Sequence, residues 1–112
     1  MHRDLQSQNV MIRGDDPALI DFQGMRYGNP LYDLGSLLYD PHVSFTGEER
    51  QELLDYYYGI STADCDFRAF GENFRKASVQ RLLQSLGAYG FLGLKGNRRE
   101  FLTHIPSGLN NL

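Results

Sequence analysis

The sequence predicts an α+β fold that is mostly α-helical, with a short β-hairpin near the N-terminus followed by a helical subdomain. Two apolar, strand-like runs at residues 10–12 and 18–20 flank turn-forming residues at 14–17. Leucines then recur at helical spacing within residues 30–39, and Thr46 and Glu49 have the spacing of a helix capping box. We therefore expect a small hairpin supported by a larger set of helices.

The hairpin pattern predicts where two polar side chains meet. A loop centred on Asp15 places Ile12 opposite Ala18 and Asn9 opposite Asp21. Directly opposed residues lie about 4.5 to 5.5 Å apart, and two oxygen ligands of one Mg²⁺ are at most roughly 4.2 Å apart. The open end of the hairpin can therefore bring an amide and a carboxylate to one metal ion.

Polar residues around this hairpin have the order of a kinase catalytic loop and metal-binding loop. His-Arg-Asp at residues 2–4 is followed five residues after the Asp by Asn9, and Asp-Phe-x-Gly occupies residues 21–24. We assign Asp4 as the catalytic base or acceptor-orienting group, and Asn9 and Asp21 as Mg²⁺ ligands beside ATP. The other motif residues are expected to support the loop, with Phe22 packing beneath it: His2, Arg3 and Phe22. The alternative is that residues 2–4 are a solvated turn and Asp21 is an ordinary strand-end residue.

A helix is predicted from Pro30 to about Tyr39, with Asn29 as its N-cap. Asp33 lies in its first turn, and two interpretations of this residue stay open. It either interacts favourably with the helix dipole or accepts hydrogen bonds from the backbone of the catalytic loop near His2 and Arg3.

Further helices are expected after Thr46. Gly59 is predicted to end the first of them, and Ser61 with Asp64 to begin the next. Glycines at 87, 90 and 93 indicate close packing or a helix end. Residues 95–97 are predicted to form a turn, residues 98–105 a short helix and residues 106–112 a tail. The basic residues Lys95, Arg98 and Arg99 could approach an anionic substrate, although such residues at a helix start are usually only solvated.

Length and charge limit the classes of function. The 112-residue chain has the size of one domain, and its net charge of −3 provides no basic surface for nucleic acid. It has no apolar run of about 18 residues, so we expect no membrane segment. The single cysteine is consistent with a reducing compartment, and we expect a cytoplasmic protein.

The position of the catalytic motif suggests a larger enzyme. Met1 directly precedes it, so the chain holds no glycine-rich phosphate loop and no strand lysine ahead of the motif. Residues 1–112 are therefore expected to be a partial kinase-like domain, the C-terminal lobe, with an N-terminal ATP lobe upstream. A piece of a longer enzyme, a truncated reading frame and an engineered segment all fit this expectation.

The interval between Asp21 and Asp33 indicates a small acceptor. Protein kinases carry an activation segment with an Ala-Pro-Glu anchor here, which supports a peptide, and this chain has neither. Gln6 also occupies the position where protein serine/threonine kinases usually have lysine. Both differences favour a small-molecule substrate over a protein.

The phrases HRDLQSQNVMIR, PALIDFQGMRYGNPLYDLGSLLYDP and LGAYGFLGL with HIPSGLNNL resemble the C-terminal lobe of aminoglycoside phosphotransferase-like kinases. Within that family the chain is most similar to the bacterial anomeric N-acetylmuramate/N-acetylglucosamine kinases. The resemblance implies a protein-kinase-like fold and ATP- and Mg²⁺-dependent phosphorylation of a sugar hydroxyl during peptidoglycan recycling. It also implies that Asp4 is the catalytic Asp, Asn9 and Asp21 are the metal ligands, and Asp33 is the helix Asp beneath the loop.

Two alternatives to a sugar kinase remain at this point. One lies in the same class: a kinase for aminoglycosides or another small molecule, which would need acidic residues around a polycationic drug. The other is a catalytically silent remnant or binding module that keeps the fold without the ATP lobe. The sequence does not identify the residues that bind the acceptor.

Overall fold

The computed structural model describes residues 1–112 and combines one antiparallel β-hairpin with four α-helices. The strands are β1 (Val10–Arg13) and β2 (Asp16–Leu19), and the helices are α1 (Pro30–Leu38), α2 (Gly47–Ile60), α3 (Phe67–Leu94) and α4 (Ile105–Asn110). Short 3-10 turns occupy Ser7–Asn9, Phe22–Gly24 and Arg99–His104. The mostly helical α+β architecture is the one that the sequence predicts.

The hydrophobic core forms where α1 crosses α3. Gly35 of α1 lies against Ser78 of α3, so closely that a Cβ atom on Gly35 would be 2.9 Å from the Ser78 Cα. The close approach lets apolar side chains of α1, α2 and α3 bury one another. The core residues are Leu31, Tyr32, Leu34, Leu38, Leu54, Phe70, Phe74 and Ala77.

The predicted hairpin register is wrong by one residue. The observed pairs include Val10 with Leu19 and Ile12 with Pro17, and the loop consists of two residues, Gly14 and Asp15. Gly14 has φ of +63°, the value that a type II′ hairpin requires at its first loop position and that glycine adopts without strain. A loop centred between residues 14 and 15, rather than on 15, moves every partner of β1 by one position.

Helix starts follow local side-chain chemistry. Of the three starts for which a capping residue was predicted, two are correct. Asn29 caps α1 by accepting a hydrogen bond from the Leu31 amide (3.0 Å), and the capping box of Thr46 and Glu49 is present. The third start is wrong, because α3 begins after Asp66, which accepts from the Ala69 amide at 2.8 Å.

The predicted helix ends are less accurate. Gly59 does not end α2, which continues to Ile60 with Ser61 as its C-cap. Gly87, Gly90 and Gly93 lie inside α3, and only Gly93 packs closely, against Leu102. Isolated glycines cost a helix only about 1 kcal/mol each, which packing along α3 outweighs.

The C-terminal segment is more helical than expected. Residues 95–97 form the predicted turn, and the next helix is the 3-10 segment Arg99–His104. The expected tail instead contains α4, whose Gly108 packs against Leu86 of α3. None of the helices has the combination of length and apolarity needed to cross a bilayer.

Candidate active site

Asp33 holds the backbone at the start of the catalytic loop. Its side chain is buried in the first turn of α1, its Oδ1 accepts a hydrogen bond from the Arg3 amide at 2.7 Å, and its Oδ2 accepts one from the His2 amide. Arg3 has φ of +79°, a left-handed conformation that a non-glycine residue adopts only when its surroundings impose it. The contacts are those of a residue that organises the loop, in addition to any effect on the helix dipole.

A second buried carboxylate, Asp40, holds the other end of the loop. It is 2% exposed and accepts hydrogen bonds from the Ser7 amide and, at 2.8 Å, from the His42 amide. Sequence analysis assigned no site role to Asp40. Asp40 lies two residues beyond the end of α1, so helical periodicity gave no signal for its contact with the loop.

His2 connects the loop to the hairpin. The imidazole is buried, and its Nε2 lies 2.9 Å from the carbonyl oxygen of Ile20, next to Asp21. Phe22 behaves differently from the prediction: its side chain is 57% exposed in a short 3-10 turn, so it does not pack beneath the loop in this chain. The aromatic ring projects from the surface because no described element covers this side of the hairpin.

Asp4 is the partly exposed carboxylate of the loop. Its side chain is 45% exposed, and its two oxygens are held unequally. Oδ1 receives a hydrogen bond from the Arg81 guanidinium at 2.8 Å, whereas Oδ2 has only long contacts of 3.3 Å with the side-chain amides of Gln6 and Asn9. Oδ2 is therefore the more weakly held of the two oxygens.

Arg81 is the site residue that sequence analysis missed. It comes from α3, its side chain is only 14% exposed, and it donates to Asp4, to the Ser36 hydroxyl (2.9 Å) and to the Ser85 hydroxyl. Its guanidinium carbon also lies 5.9 Å from the centre of the Tyr32 ring. The absence of a lysine at residue 6 was a hint that a cation must come from elsewhere, but nothing local identified which one.

Asn9 and Asp21 provide oxygen atoms suited to Mg²⁺. The Asn9 amide nitrogen donates to the Asp4 carbonyl oxygen at 2.8 Å, which leaves the Asn9 side-chain oxygen unused. Asp21 has an exposed carboxylate without a hydrogen bond and adopts a left-handed conformation with φ of 57°. Asn9 and Asp21 are not directly opposite each other, as the predicted register required. The Asn9 carbonyl accepts a hydrogen bond from the amide of Ile20 (3.0 Å), and Asp21 is the next residue along the chain.

These two side chains carry the oxygen atoms that the loop and hairpin could offer a cation. No group of three His, Cys, Asp or Glu side chains lies close enough to hold a metal alone. Magnesium sites in nucleotide enzymes commonly use one or two protein ligands together with phosphate oxygens and water. The residues present therefore fit a metal that arrives with a nucleotide.

A narrow cavity lies behind Arg81. It measures about 20 Å³ and is lined by residues that include Arg81, Tyr89 and His104, which is room for about one water molecule. Burial raises the pKa of the Tyr89 hydroxyl above its ordinary value of 10.0; Arg81 opposes this effect, and the carboxylates of Asp4 and Asp40 reinforce it. Tyr89 is thus a neutral hydrogen-bonding group behind the site, and this cavity is too small for a sugar.

An aspartate that pairs with a guanidinium on a loop, followed by two side chains with oxygen atoms suited to a metal, resembles the arrangement of a phosphotransferase. Residues 1–87 match the model of the phosphotransferase enzyme family, APH. The chain belongs to this family and is of the kinase class.

Curated relatives narrow the comparison. The chain is 30% identical, over its whole length, to the N-acetylmuramate/N-acetylglucosamine kinase of Neisseria meningitidis serogroup B. It is also 30% identical, over 95% of its length, to the enzyme of the same name from Pseudomonas putida, and 28% identical to that of Pseudomonas aeruginosa. The chain spans about a third of the length of these relatives, 35% of the first and 33% of the others.

Proposed function

We propose that the protein containing this chain transfers the γ-phosphoryl group of ATP to a hydroxyl of an amino sugar, N-acetylmuramate or N-acetylglucosamine, in the reuse of cell-wall sugars. The observation that carries the proposal is the geometry of Asp4: a half-exposed carboxylate with one oxygen paired to Arg81 and the other held only by two long hydrogen bonds. The names of the relatives supply the acceptor.

Asp4 has a defined part in this reaction. Its Oδ2 accepts the proton of the acceptor hydroxyl as the hydroxyl oxygen forms a bond to the γ-phosphorus. The bond between that phosphorus and the bridging oxygen breaks, and ADP leaves with the electron pair. Arg81 keeps Oδ1 in place, so that Oδ2 points at the acceptor throughout the step.

Asn9 and Asp21 are the proposed magnesium ligands. Their unused side-chain oxygens would hold Mg²⁺, which when bound neutralises charge on the phosphate oxygens. Asp33 and Asp40 act below them by fixing the backbone between residues 2 and 7, so that Asp4 and Asn9 keep their spacing. Positioning of this kind supplies most of the catalysis in phosphoryl transfer.

The nucleotide-binding lobe is proposed to lie in the part of the complete protein that this chain does not cover. Two features support this: the relatives are about three times as long, and β1 and β2 expose the apolar side chains of Met11, Ile12 and Leu19. A further lobe over the hairpin would cover these residues and Phe22. The single cysteine, Cys65, is unpaired, in keeping with the proposed cytoplasmic location.

The two alternatives are less well supported. A polycationic aminoglycoside requires carboxylates around its binding site, but the open cleft beside the catalytic loop is lined by two arginines and no acidic residue. A silent remnant has no reason to retain the contacts of Asp4, Asn9 and Arg81 with one another.

The test uses the complete reading frame that contains this chain, hereafter the complete protein. We expect release of ADP and a new phosphate ester, detected by ³¹P NMR, with ATP, Mg²⁺ and either amino sugar, and no turnover with kanamycin. Asp4→Asn should reduce kcat by about 10²- to 10⁴-fold.

The matched control is Asp15→Asn, which changes an exposed carboxylate at the hairpin turn and should leave kcat unchanged. Full activity of the Asp4 variant would refute the assignment of the base. Absence of turnover in the unmodified protein with both sugars would refute the sugar-kinase function and favour the remnant.

A further inference from the structure

A second, larger cleft opens beside the catalytic loop, and its lining contains positively charged side chains but no negatively charged ones. It has a volume of about 340 Å³, within the range of small-molecule sites, and its polar lining consists of Arg3, Arg26, Asn29, Tyr32, Gln80 and Gln84. No carboxylate lines it. The two guanidinium groups therefore face the cleft without a balancing negative charge.

The fold itself brings the two arginines together. The Arg26 amide donates to the Met1 carbonyl at 3.1 Å, and the Met1 backbone nitrogen lies 2.6 Å from the Arg26 carbonyl, so Arg26 lies beside the start of the loop. Arg3 is turned by its left-handed backbone. Neither guanidinium makes an ion pair or a side-chain hydrogen bond, unlike those of Arg81 and Arg98.

Two side-chain amides in the lining, those of Asn29 and Gln84, have fixed orientations and also present hydrogen-bond donors. The side-chain oxygen of Asn29 accepts the amide of Leu31 at 3.0 Å, and that of Gln84 accepts the hydroxyl of Tyr32. A primary amide whose oxygen already accepts a hydrogen bond has its two N–H donors available for a ligand. Arg3, Arg26, Asn29 and Gln84 thus all offer hydrogen-bond donors, which suits an anion.

Two packed side chains connect the wall of this cleft to the proposed base. The Tyr32 ring forms part of its wall and also lies beneath the guanidinium of Arg81, which binds Asp4. Tyr32 and Arg81 thus lie between the cleft and Asp4, and Arg3 of the cleft lining directly precedes Asp4 in the chain. An acceptor that spans both would present a hydroxyl to Asp4 and an anionic group to the cleft.

We infer that this cleft binds the carboxylate of an acidic amino sugar and so distinguishes N-acetylmuramate from N-acetylglucosamine. The two sugars differ by a lactyl ether that ends in a carboxylate, and only the first can pair with Arg26 and Arg3. The inference rests on the proposed sugar-kinase function and adds to it the residues that select the acidic acceptor.

The experiment compares the two acceptors in the complete protein. Arg26→Gln keeps the backbone hydrogen bonds to Met1 and removes only an exposed charge. It should lower kcat/KM for N-acetylmuramate by about 10- to 100-fold, as expected for the loss of a charge-assisted hydrogen bond, and change that for N-acetylglucosamine by less than about twofold. Arg75→Gln, which removes an exposed and unpaired guanidinium from α3, should affect neither acceptor.

Each other outcome has a definite meaning. An equal loss with both acceptors would overturn the inference, and an accompanying rise in KM for ATP would assign Arg26 to the nucleotide phosphates instead. If neither sugar is phosphorylated, the proposed function fails. Calorimetric titration with N-acetylmuramate then still decides the inference, because equal affinity of the unmodified protein and Arg26→Gln would refute it.

Discussion

The catalytic loop is held from below by two buried carboxylates. Asp33 and Asp40 accept hydrogen bonds from the backbone amides of His2, Arg3 and Ser7. A buried amide without a partner costs about 1–3 kcal/mol, so each carboxylate stabilises a loop conformation that is otherwise unfavourable. Loop geometry therefore depends on residues about thirty positions away along the chain.

Asp33→Ala tests whether this support or the helix dipole is the main role of the residue. Removal of both acceptors should lower the free energy of unfolding by about 1–3 kcal/mol and abolish phosphotransfer. Glu48→Ala, in the first turn of α2, removes a carboxylate with only a dipole interaction, worth about 0.3–1 kcal/mol. Chemical denaturation of both variants gives the comparison, and equal small losses with retained activity would leave only the dipole role.

Arg81 is a positioning residue in the proposed mechanism, acting through Asp4. Arg81→Ala should reduce kcat by about 10²-fold, because a misplaced reactive group costs that much, with little change in KM. Added guanidinium chloride should restore part of the lost kcat, which a purely structural role would not allow. Arg75→Ala is the control for an exposed guanidinium on the same helix, and failure of rescue in a folded variant would contradict the role.

At the scale of elements, the crossing of α1 and α3 sets the distance between Asp4 and Arg81. Gly35→Ala would place a methyl group 2.6 Å from the Ser78 hydroxyl oxygen and 2.9 Å from its Cα. We expect a loss of about 1–3 kcal/mol in unfolding free energy from overpacking, together with reduced activity as Arg81 moves. Gly87→Ala, with open space around it, should instead stabilise α3 by about 0.5–1 kcal/mol. Destabilisation of similar size in both variants would exclude the packing explanation.

The capping box of α2 makes a pH-dependent contribution. The hydrogen bond from the Thr46 amide lowers the pKa of Glu49, so the folded helix favours the charged carboxylate. This contribution to the free energy of unfolding is present at pH values above the ordinary pKa of a glutamate. It is lost as the pH falls through the lowered pKa of Glu49. The difference in unfolding midpoint between the unmodified protein and Glu49→Ala should therefore be greatest near pH 7 and disappear in acid. Glu52→Ala, which removes a carboxylate without a hydrogen bond, should show no such trend.

At the scale of the whole molecule, the hairpin is exposed and does not pack into the hydrophobic core. An isolated two-stranded hairpin is marginally stable, and Ile12 is 66% exposed in this chain. If the proposed nucleotide lobe covers it, Ile12→Asp should lower the free energy of unfolding of the complete protein by about 1.5–3 kcal/mol and raise KM for ATP. Phe91→Asp, at a position 61% exposed on α3, is the matched control, and an equal effect of both changes would argue against a lobe over the hairpin.

Much of the architecture could be predicted because its signals are local. The capping box at Thr46, the N-cap at Asn29 and the turn residues around Gly14 each act within a few positions, and the structure contains a hairpin and helices where these signals predict them. The predicted register is wrong because the loop was centred on Asp15 instead of between Gly14 and Asp15. The sequence did contain the signal, since Gly14 is a typical first residue of a two-residue loop. The predicted helix end at Gly59 is wrong, as is the helix-end option for Gly87, because packing outweighs the small cost of glycine.

The sequence by itself determined the class of chemistry, through the order and spacing of Asp4, Asn9 and Asp21, since these residues lie within one short segment. Only the tertiary structure decided what surrounds them. Arg81 reaches Asp4 from 77 residues away, and backbone hydrogen bonds between Arg26 and Met1, which no periodicity predicts, bring Arg26 beside the start of the loop. The physical reason is that helix crossings and loop closures set these contacts, and both depend on close packing between segments distant in the chain.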